Sequence, residues 1–476
     1  MGRQSNIEWT EHTWNPIRGC TRVSAGCEHC YAERIAARFS GPGMPYEGLA
    51  EMTPPGPRWT GEVRLVEEKL AEPLSWREPA MVFVDSMSDL FHEGLTDEQI
   101  AVVFGVMAAC PQHTFQVLTK RPERMQSLLS DAGFPARVDL MKHVAVAGRI
   151  EEVFAAERFE AIEGWPGYWV TTKGRVFSDH KGERREMTPM SGGQGHARVM
   201  LYRGEETGRP LIHHLVLGAF DRPRVGDEQC CHIDGNPTNN ALWNLRWGTQ
   251  SSNWDDSKRH GTRRRYSKLT EAQVEELRAA SAAGVSGAEL GRRYGISDTQ
   301  ARNIATGRQW APPHEPTWPL PGVWLGVSVE DQATADERIP VLLDTPAAVR
   351  FVSCEPLLGP INLRLAFGPH VGLPHGKAHR PCCPGSLDWV IAGGESGPGA
   401  RPMDPAWPRA LRDECQAAGV PFFFKSWGAW APLSEPIDDG RDHPTAKLDG
   451  ATMCRYGKKA AGRELDGRTW DEIPEV

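Results

Sequence analysis

The sequence contains no apolar run long enough to cross a membrane, since the longest obvious one spans only residues 101–110. Residues 1–13 are polar and include no apolar core of a signal peptide. A net charge of −8 excludes a protein that coats nucleic acid with a uniformly basic surface, although it is compatible with a local basic patch. We therefore expect a protein that is cytoplasmic and does not associate with membranes.

The composition is that of a globular protein with several domains. A chain of 476 residues is too long for one ordinary core, which predicts two or three domains. Hydrophobic residues make up 39% and charged residues 24%, as is typical of soluble proteins. In a reducing compartment, the eleven cysteines favour metal ligands or free thiols over disulfides.

The outer parts of the chain alternate between short apolar runs and helix-like stretches. The runs contain few polar residues, which indicates parallel strands buried on both faces. This pattern predicts an α/β fold that is TIM-barrel-like, either open or closed. The apolar runs are residues 81–84, 115–118, 323–328, 350–353, 389–392 and 422–424.

Polar residues follow these runs where the strands are predicted to end. Because α/β folds place their sites at the carboxyl ends of the strands, we expect these side chains to line a pocket at the barrel mouth. Some of them would alternatively pair only with each other. The predicted pocket residues are Asp85, Lys120, Glu355, Glu395 and Lys425.

The strand–helix alternation stops near residue 154 and resumes near residue 317. Removing the middle leaves roughly 310 residues, a plausible size for one barrel. The simplest interpretation is an insertion into an exposed connection, which costs little loop entropy. We predict a discontinuous domain of residues 1–153 plus 317–476, a second domain of residues 154–260, and a basic linker with a small helical domain in residues 261–316.

The middle region contains one histidine and two asparagines at a spacing that suits metal-assisted phosphodiester cleavage. His232 can deprotonate water, and of Asn244 and Asn253 one can pin a turn while the other offers its carbonyl oxygen to a divalent cation such as Mg²⁺ or Mn²⁺. The alternative interpretation is that this segment is an ordinary turn without catalytic function and that its histidine is structural.

A basic stretch and a helix-turn-helix pattern follow. The basic stretch contains no acid and would bind DNA phosphates without reading sequence, although such a run is also typical of a solvated linker. Capping-box starts at Thr270, Ser286 and Ser297 predict short helices, the last of them a reading helix over residues 298–306. The candidate DNA-binding residues are Lys258, Arg259, Arg263, Arg264 and Arg265 in the basic stretch, and Thr299, Gln300, Arg302 and Asn303 in the reading helix.

Residues 229–256 resemble the HNH endonucleases of the homing type, which have a ββα-metal fold. The resemblance rests on residues 232–240, which read HIDGNPTNN, with Asn244 and Asn253 after them. It implies that His232 is the general base, that Asn244 braces the loop, and that Asn253 is a metal ligand. The preceding segment, residues 165–177, and the helix-turn-helix that follows resemble the DNA-binding modules of such enzymes.

One position departs from that family. The residue before the base, often an acidic metal ligand, is Cys231, and a thiol is a poor partner for Mg²⁺. Either His213, His214 or Asp256 takes its place, or the site uses a softer metal, or cleavage is weak. A non-catalytic DNA-binding module is the alternative hypothesis.

Three cysteines lie within eleven residues near the start of the chain, at Cys20, Cys27 and Cys30. Three thiolates leave one iron of a [4Fe–4S] cluster open. The triad resembles that of radical S-adenosylmethionine enzymes, which implies a radical reaction with S-adenosylmethionine in the outer domain. The alternative is structural zinc, with His12, His29 or Cys354 as fourth ligand.

The outer domain also resembles a phage-encoded protein family of undefined activity. The resemblance rests on several short segments and implies a bacterial or phage-infected cell as the location, but it supplies no reaction. The segments are residues 14–16, 26–33, 118–121, 324–328 and 353–356.

Overall fold

The structure is a computed structural model that describes residues 5, 7–54, 56–180, 182–259, 269–306, 317–367, 386–433 and 443–475. The chain forms two compact units. The host unit consists of Met1–Ala145 and Thr317–Val476, and the inserted unit consists of Val146–Pro316. Among the described residues, no helix combines the length and the apolar character needed to cross a bilayer.

The first host segment contains β1 (His12–Trp14), β2 (Ile17–Arg18), α1 (Tyr31–Arg38), β3 (Ala50–Thr53), β4 (Gly56–Trp59), β5 (Arg64–Leu65), α2 (Glu67–Leu70), β6 (Met81–Val84), α3 (Asp97–Ala109), β7 (Thr114–Thr119), α4 (Pro122–Leu129) and α5 (Phe134–Val146). The inserted unit contains β8 (Phe159–Ala161), β9 (Tyr168–Thr171), β10 (Val176–Ser178), β11 (Arg185–Glu186), β12 (Met190–Ser191), β13 (Ala197–Arg198), β14 (Leu201–Arg203), β15 (Glu206–Gly208), α6 (Ile212–Phe220), β16 (Gln229–His232), β17 (Leu245–Gly248), α7 (Gln250–Arg259), α8 (Glu271–Ala282), α9 (Gly287–Tyr294) and α10 (Asp298–Ala305). The second host segment contains β18 (Val323–Ser328), α11 (Gln332–Leu343), β19 (Val349–Cys354), β20 (Trp389–Gly393), α12 (Ala406–Ala418), β21 (Phe422–Ser426), β22 (Ala431–Pro432), β23 (Thr445–Leu448), β24 (Ala451–Cys454), α13 (Lys458–Ala461), β25 (Glu464–Leu465) and β26 (Arg468–Thr469).

The host unit is built on a seven-stranded sheet with the order β1-β6-β7-β18-β19-β20-β21. Every neighbouring pair is parallel, as the apolar runs predicted. The sheet curls into a half-barrel whose edges are β1 and β21, so the TIM-barrel-like fold predicted from the sequence is not confirmed. The apolar runs define the strands, but they contain no information on whether the two edge strands pair.

An aromatic cluster fills one face of this sheet. It includes Trp9, Phe83, Trp324, Phe351 and Trp389, all of them buried. The ring of Trp389 meets those of Trp324 and Phe351 at centroid distances of 5.8 and 5.6 Å. Because such rings each bury a large apolar area, this cluster is a main source of the host unit's stability.

The core of the inserted unit lies around the helix α6. Strands β8 to β11 form a four-stranded sheet. Val170, Leu201, Val216 and Leu245 belong to one buried cluster, which joins this sheet to α6 and to the β16–β17 hairpin.

Helices α8, α9 and α10 pack around a small core of their own. Val274, Leu277, Leu290 and Ile304 belong to that core. The helices begin at capping residues Thr270, Ser286 and Ser297, each of which accepts a hydrogen bond from the backbone three residues on. Gly295 ends α9 in a left-handed conformation with φ of 67°. The short helices predicted from the capping pattern are therefore present.

We predict that Trp389→Ala destabilises the host unit by about 3–5 kcal/mol, because it removes a buried ring from the centre of the aromatic cluster. The measurement is urea unfolding followed by circular dichroism. Leu365→Ala is the control, since this side chain is 97% exposed and its loss changes stability by at most about 0.5 kcal/mol. An unchanged unfolding midpoint for Trp389→Ala would contradict the prediction.

Candidate functional site

His232 is the last residue of β16, which pairs antiparallel with β17 so that Leu245 lies opposite His232. Successive side chains of a strand point to opposite faces, so Cys231 and His232 have different surroundings. Cys231 is fully buried and lies near Ser252 and Asp256 of α7. Burial raises the pKa of its thiol, which disfavours the thiolate form that binds metals.

Asn244 holds the loop that follows His232. Its side chain is fully buried, and its Oδ1 accepts a hydrogen bond from the backbone N–H of Asp234 at 2.9 Å. Its Nδ2 donates to Asp234 Oδ1 and to the carbonyl oxygen of Asn239, both at 2.8 Å. One amide therefore ties together both ends of the turn between His232 and β17.

The His232 ring is held in one tautomer by Asn240. The Nδ2 atom of Asn240 donates to the carbonyl oxygen of Thr238 at 3.1 Å, which turns its Oδ1 toward His232 Nε2 at 3.4 Å. Because an amide oxygen only accepts hydrogen bonds, the His232 proton resides on Nε2 and the lone pair on Nδ1. Burial lowers the pKa of His232 to about 4, so the ring is neutral at pH 7.

Two further histidines surround His232. One ring nitrogen from each of His196, His213 and His232 lies within 4.8 Å of the other two. His196 follows a short 3-10 turn, His213 is in the first turn of α6, and His232 ends β16. His213 was among the ligands considered from the sequence, but His196 was missed because no local pattern connects it to His232.

Asn253 lies on α7, and its Nδ2 donates to Gln229 Oε1 at 2.7 Å. Asp256, considered as a replacement ligand for Cys231, forms an ion pair with Arg246 at 2.5 Å. His214, the other replacement considered, stacks on Trp247 with a ring-centroid distance of 5.8 Å. Of the residues considered as ligands, His213 lies beside His232, together with His196. Cys231 lies on the other side of the hairpin, facing α7.

The candidate DNA-binding residues differ in how they are engaged. On α10, Thr299 is exposed, whereas the amide of Gln300 closes the capping box on Ser297. Arg302 is exposed but paired with Asp298, and Asn303 is half-buried. Lys258 and Arg259 are the last two residues of α7, and their side chains lie outside the described part of the chain. Arg263, Arg264 and Arg265 lie wholly outside the described residues.

The host unit contains a cavity of about 460 Å³ at the ends of its strands. Its lining includes all five predicted pocket residues and all three cysteines of the triad, namely Asp85, Lys120, Glu355, Glu395, Lys425, Cys20, Cys27 and Cys30. Side chains that are far apart in the sequence are together here because parallel strands end at the same edge of the sheet.

Most charges of this cavity are paired. Lys120 forms an ion pair with the fully buried Glu330 at 2.7 Å, and Lys425 forms one with Glu355. Glu395 pairs with Arg401 at 2.7 Å. The sequence prediction did not include Glu330, although it lies two residues after a predicted strand and its position there was the available signal.

Asp85 differs from these paired residues, since burial raises the pKa of its carboxyl group to about 8. Its Oδ1 accepts a hydrogen bond from the backbone N–H of Ile17 at 3.0 Å. The residue has a positive φ of 57°, a conformation that favours glycine. Such backbone strain and a raised carboxyl pKa are both typical of functional positions.

The three cysteines line the cavity without converging on one point. A tetrahedral zinc ion brings thiolate sulfurs to about 3.8 Å from one another, given Zn–S bonds of about 2.3 Å. Among the described residues the three histidines are grouped closely enough for one ion, and Cys20, Cys27 and Cys30 are not. Of the fourth ligands considered, His29 lines the cavity, whereas His12 and Cys354 do not. The triad as it stands therefore does not fit a single zinc ion.

The family described as "Protein of unknown function (DUF5131)" matches residues 4–165 and 257–474, most of the chain. The chain belongs to this family. The DUF5131 match excludes residues 166–256, which contain the histidine group, Asn244 and Asn253. The family description states no activity for the host unit, and nothing in the comparisons supports an iron–sulfur cluster or S-adenosylmethionine there.

Part of the chain is similar to HNH endonucleases. It is 32% identical over 103 residues to "DNA endonuclease I-HmuI" of Bacillus phage SP01, covering 21% of this chain and 58% of that protein. It is 30% identical over 91 residues to "Uncharacterized HNH endonuclease L247" of Acanthamoeba polyphaga mimivirus, covering 19% of this chain and 22% of that protein. The matches thus span less than two thirds of either relative.

A solved structure described as "DNA binding and cleavage by the HNH homing endonuclease I-HmuI" aligns with 32% of this chain and 91% of that one. The aligned residues are 22% identical and the TM-score is 0.21, too low to establish a shared fold.

We predict that Asn244→Ala lowers the free energy of unfolding of the inserted unit by about 3 kcal/mol, because three hydrogen-bonding partners lose a buried amide. Asn236→Ala is the matched control. Asn236 bonds only within an exposed turn, so its loss costs at most about 1 kcal/mol. Urea unfolding of both variants tests this, and equal losses would argue against the bracing role of Asn244.

Proposed function

We propose that the inserted unit of this DUF5131 chain is a metal-dependent DNA endonuclease of the HNH type, which hydrolyses phosphodiester bonds. The observation that carries the proposal is the state of His232, a neutral imidazole held in one tautomer, in a chain that is similar to HNH endonucleases over part of its length. The similarity alone covers about a fifth of the chain, so the geometry of the site is needed to specify the reaction.

His232 acts as the general base in this proposal. Its Nε2–H donates to Asn240, so the Nδ1 lone pair takes the proton from the attacking water. Only 8% of the residue is exposed, so few water molecules reach the ring. Asn244 is a positioning residue, because its hydrogen bonds hold the turn next to His232 and do not reach the reacting atoms.

The residues available for Mg²⁺ or Mn²⁺ fit such a cation only in part. The amide oxygen of Asn253 is a hard ligand of the kind these ions prefer, whereas the buried thiol of Cys231 is a soft one with a raised pKa. Asn253 is therefore the proposed ligand, and Cys231 is not. When bound, a divalent cation stabilises charge on the phosphate and on the leaving oxygen.

The helix-turn-helix is the proposed DNA-contacting element. Thr299 and Asn303 are one helical turn apart on α10, and Arg302 adds an exposed positive charge. Gln300 is not proposed to read bases while its amide closes the capping box. Lys258 and Arg259 at the end of α7, and Arg263, Arg264 and Arg265 after it, are proposed to bind phosphates.

We predict that the full chain cuts plasmid DNA with Mg²⁺ or Mn²⁺ and that His232→Ala slows cutting by about 10²–10⁴-fold, the usual contribution of a general base. His180→Ala is the matched control, since this exposed histidine of the same unit packs on Tyr168, away from the histidine group. Gel separation of nicked and linear plasmid measures the rate. Equal cutting by His232→Ala and wild type would refute the general-base role, and salt-dependent DNA binding without any cutting would favour a non-catalytic module.

A second activity is proposed for the host unit, since its cavity gathers three cysteines and several ionisable groups. Cys20, Cys27 and Cys30 would hold a [4Fe–4S] cluster, which would leave one iron for a ligand such as S-adenosylmethionine. Cys20 donates its thiol hydrogen to the carbonyl oxygen of Thr21 at 3.4 Å, and burial raises the pKa of this thiol to about 12.

We predict that anaerobic reconstitution with iron and sulfide gives brown protein with about four iron atoms per chain, the content of one [4Fe–4S] cluster. Replacing Cys27 with alanine abolishes the colour. Cys110→Ala is the control and keeps it, because Cys110 is buried outside the cavity lining. Protein that stays colourless and free of iron after reconstitution would contradict the iron–sulfur proposal.

A further inference from the structure

We propose that His196, His213 and His232 form a binding site for a borderline transition metal ion such as Zn²⁺, and that filling this site switches off the nuclease by occupying His232. The second part rests on the proposed function of His232, whereas the first does not. The three imidazoles come from a loop, a helix and a strand, and their ligand nitrogens lie within 4.8 Å of one another.

The distances are close to those of a metal site. Zn–N bonds of about 2.0–2.1 Å in a tetrahedron place two nitrogens about 3.4 Å apart, so the widest separation must close by at most about 1.4 Å. Rotation of the rings provides that movement, and His196, on a half-exposed loop, is the member with most freedom. Three imidazole ligands leave the fourth position to water, as in many three-histidine zinc sites.

Two ring nitrogens at this position need a partner. The Nδ1 atoms of His196 and His213 are buried and make no hydrogen bond within the described part of the chain. His213 as a whole is only 3% exposed, so bulk water does not satisfy its Nδ1. Buried polar atoms are nearly always paired, and a bound metal ion or water is the usual explanation of an exception.

The donor set selects the class of metal. Imidazole nitrogens suit zinc, copper, nickel and iron, whereas Mg²⁺ requires oxygen ligands. No carboxylate is part of the group. The oxygen of Asn253 and the nitrogens of the histidine group would thus bind different ions, one that supports cleavage and one that prevents it.

Occupation of the site and cleavage are mutually exclusive for a chemical reason. The His232 Nε2–H is engaged by Asn240, so Nδ1 carries the only lone pair available in the plane of the ring. A metal ion bound to that lone pair leaves none to accept a proton from water. Zinc is therefore expected to inhibit cleavage at concentrations set by the affinity of the histidine group.

Titration of the full chain with Co²⁺, which replaces Zn²⁺ and absorbs visible light in tetrahedral sites, tests the site without any need for activity. Wild type is expected to bind one more Co²⁺ than His196→Gln, with the visible bands lost in that variant. His214→Gln is the matched control, since its ring adjoins that of His213 at 4.6 Å but is not part of the group. Equal Co²⁺ binding by wild type and His196→Gln would overturn the proposed site, provided that circular dichroism shows both to be folded.

The regulatory part is tested by plasmid cutting in Mg²⁺ with added Zn²⁺. At a free Zn²⁺ concentration ten times the dissociation constant, cutting by wild type falls about tenfold, as single-site occupancy requires. His196→Gln resists this inhibition. A Co²⁺ site combined with zinc-insensitive cutting would overturn the regulatory role, whereas a Co²⁺ site in a chain that never cuts DNA would refute only the nuclease.

Discussion

The host unit depends on the pairing of two strands that are separated by the whole insertion. Strands β7 and β18 are neighbours in the parallel sheet, in register from Phe115 opposite Val323 to Thr119 opposite Val327. The chain on either side of the insertion is also held together, because Trp318 donates a hydrogen bond to the carbonyl of Leu129 at 3.2 Å and packs on Phe134. Contacts within the host unit thus keep the two ends of the interruption close, and an independent core can occupy the connection without disturbing the sheet.

Backbone geometry decides which residues meet in each candidate site. In the host unit, parallel strands deliver Asp85, Lys120 and Glu355 to one edge of the sheet, where they line a single cavity. In the inserted unit, strand alternation does the opposite and separates Cys231 from His232. The thiol faces α7 while the imidazole faces His196 and His213, so two adjacent residues belong to different environments.

Much of the architecture was predictable because its signals are local. The six apolar runs became strands of one parallel sheet, and Thr270 and Ser297 formed the predicted capping boxes. These local signals did not predict that the sheet stays open, and they did not predict its seventh strand, His12–Trp14. That strand is only three residues long, and its place at the edge depends on a pairing with β6 that no periodicity encodes.

The sequence by itself determined the residue types and the local structure of the nuclease-like segment, because strand alternation, caps and turns depend on neighbours within a few positions. It also marked the strand ends that would line the host cavity. Tertiary structure alone decided that His196 and His213 lie beside His232, and that the amide of Asn240 orients the ring. These contacts join loop, helix and strand across the core of the unit, and they exist only once burial of Val170, Leu201 and Leu245 has brought those elements together.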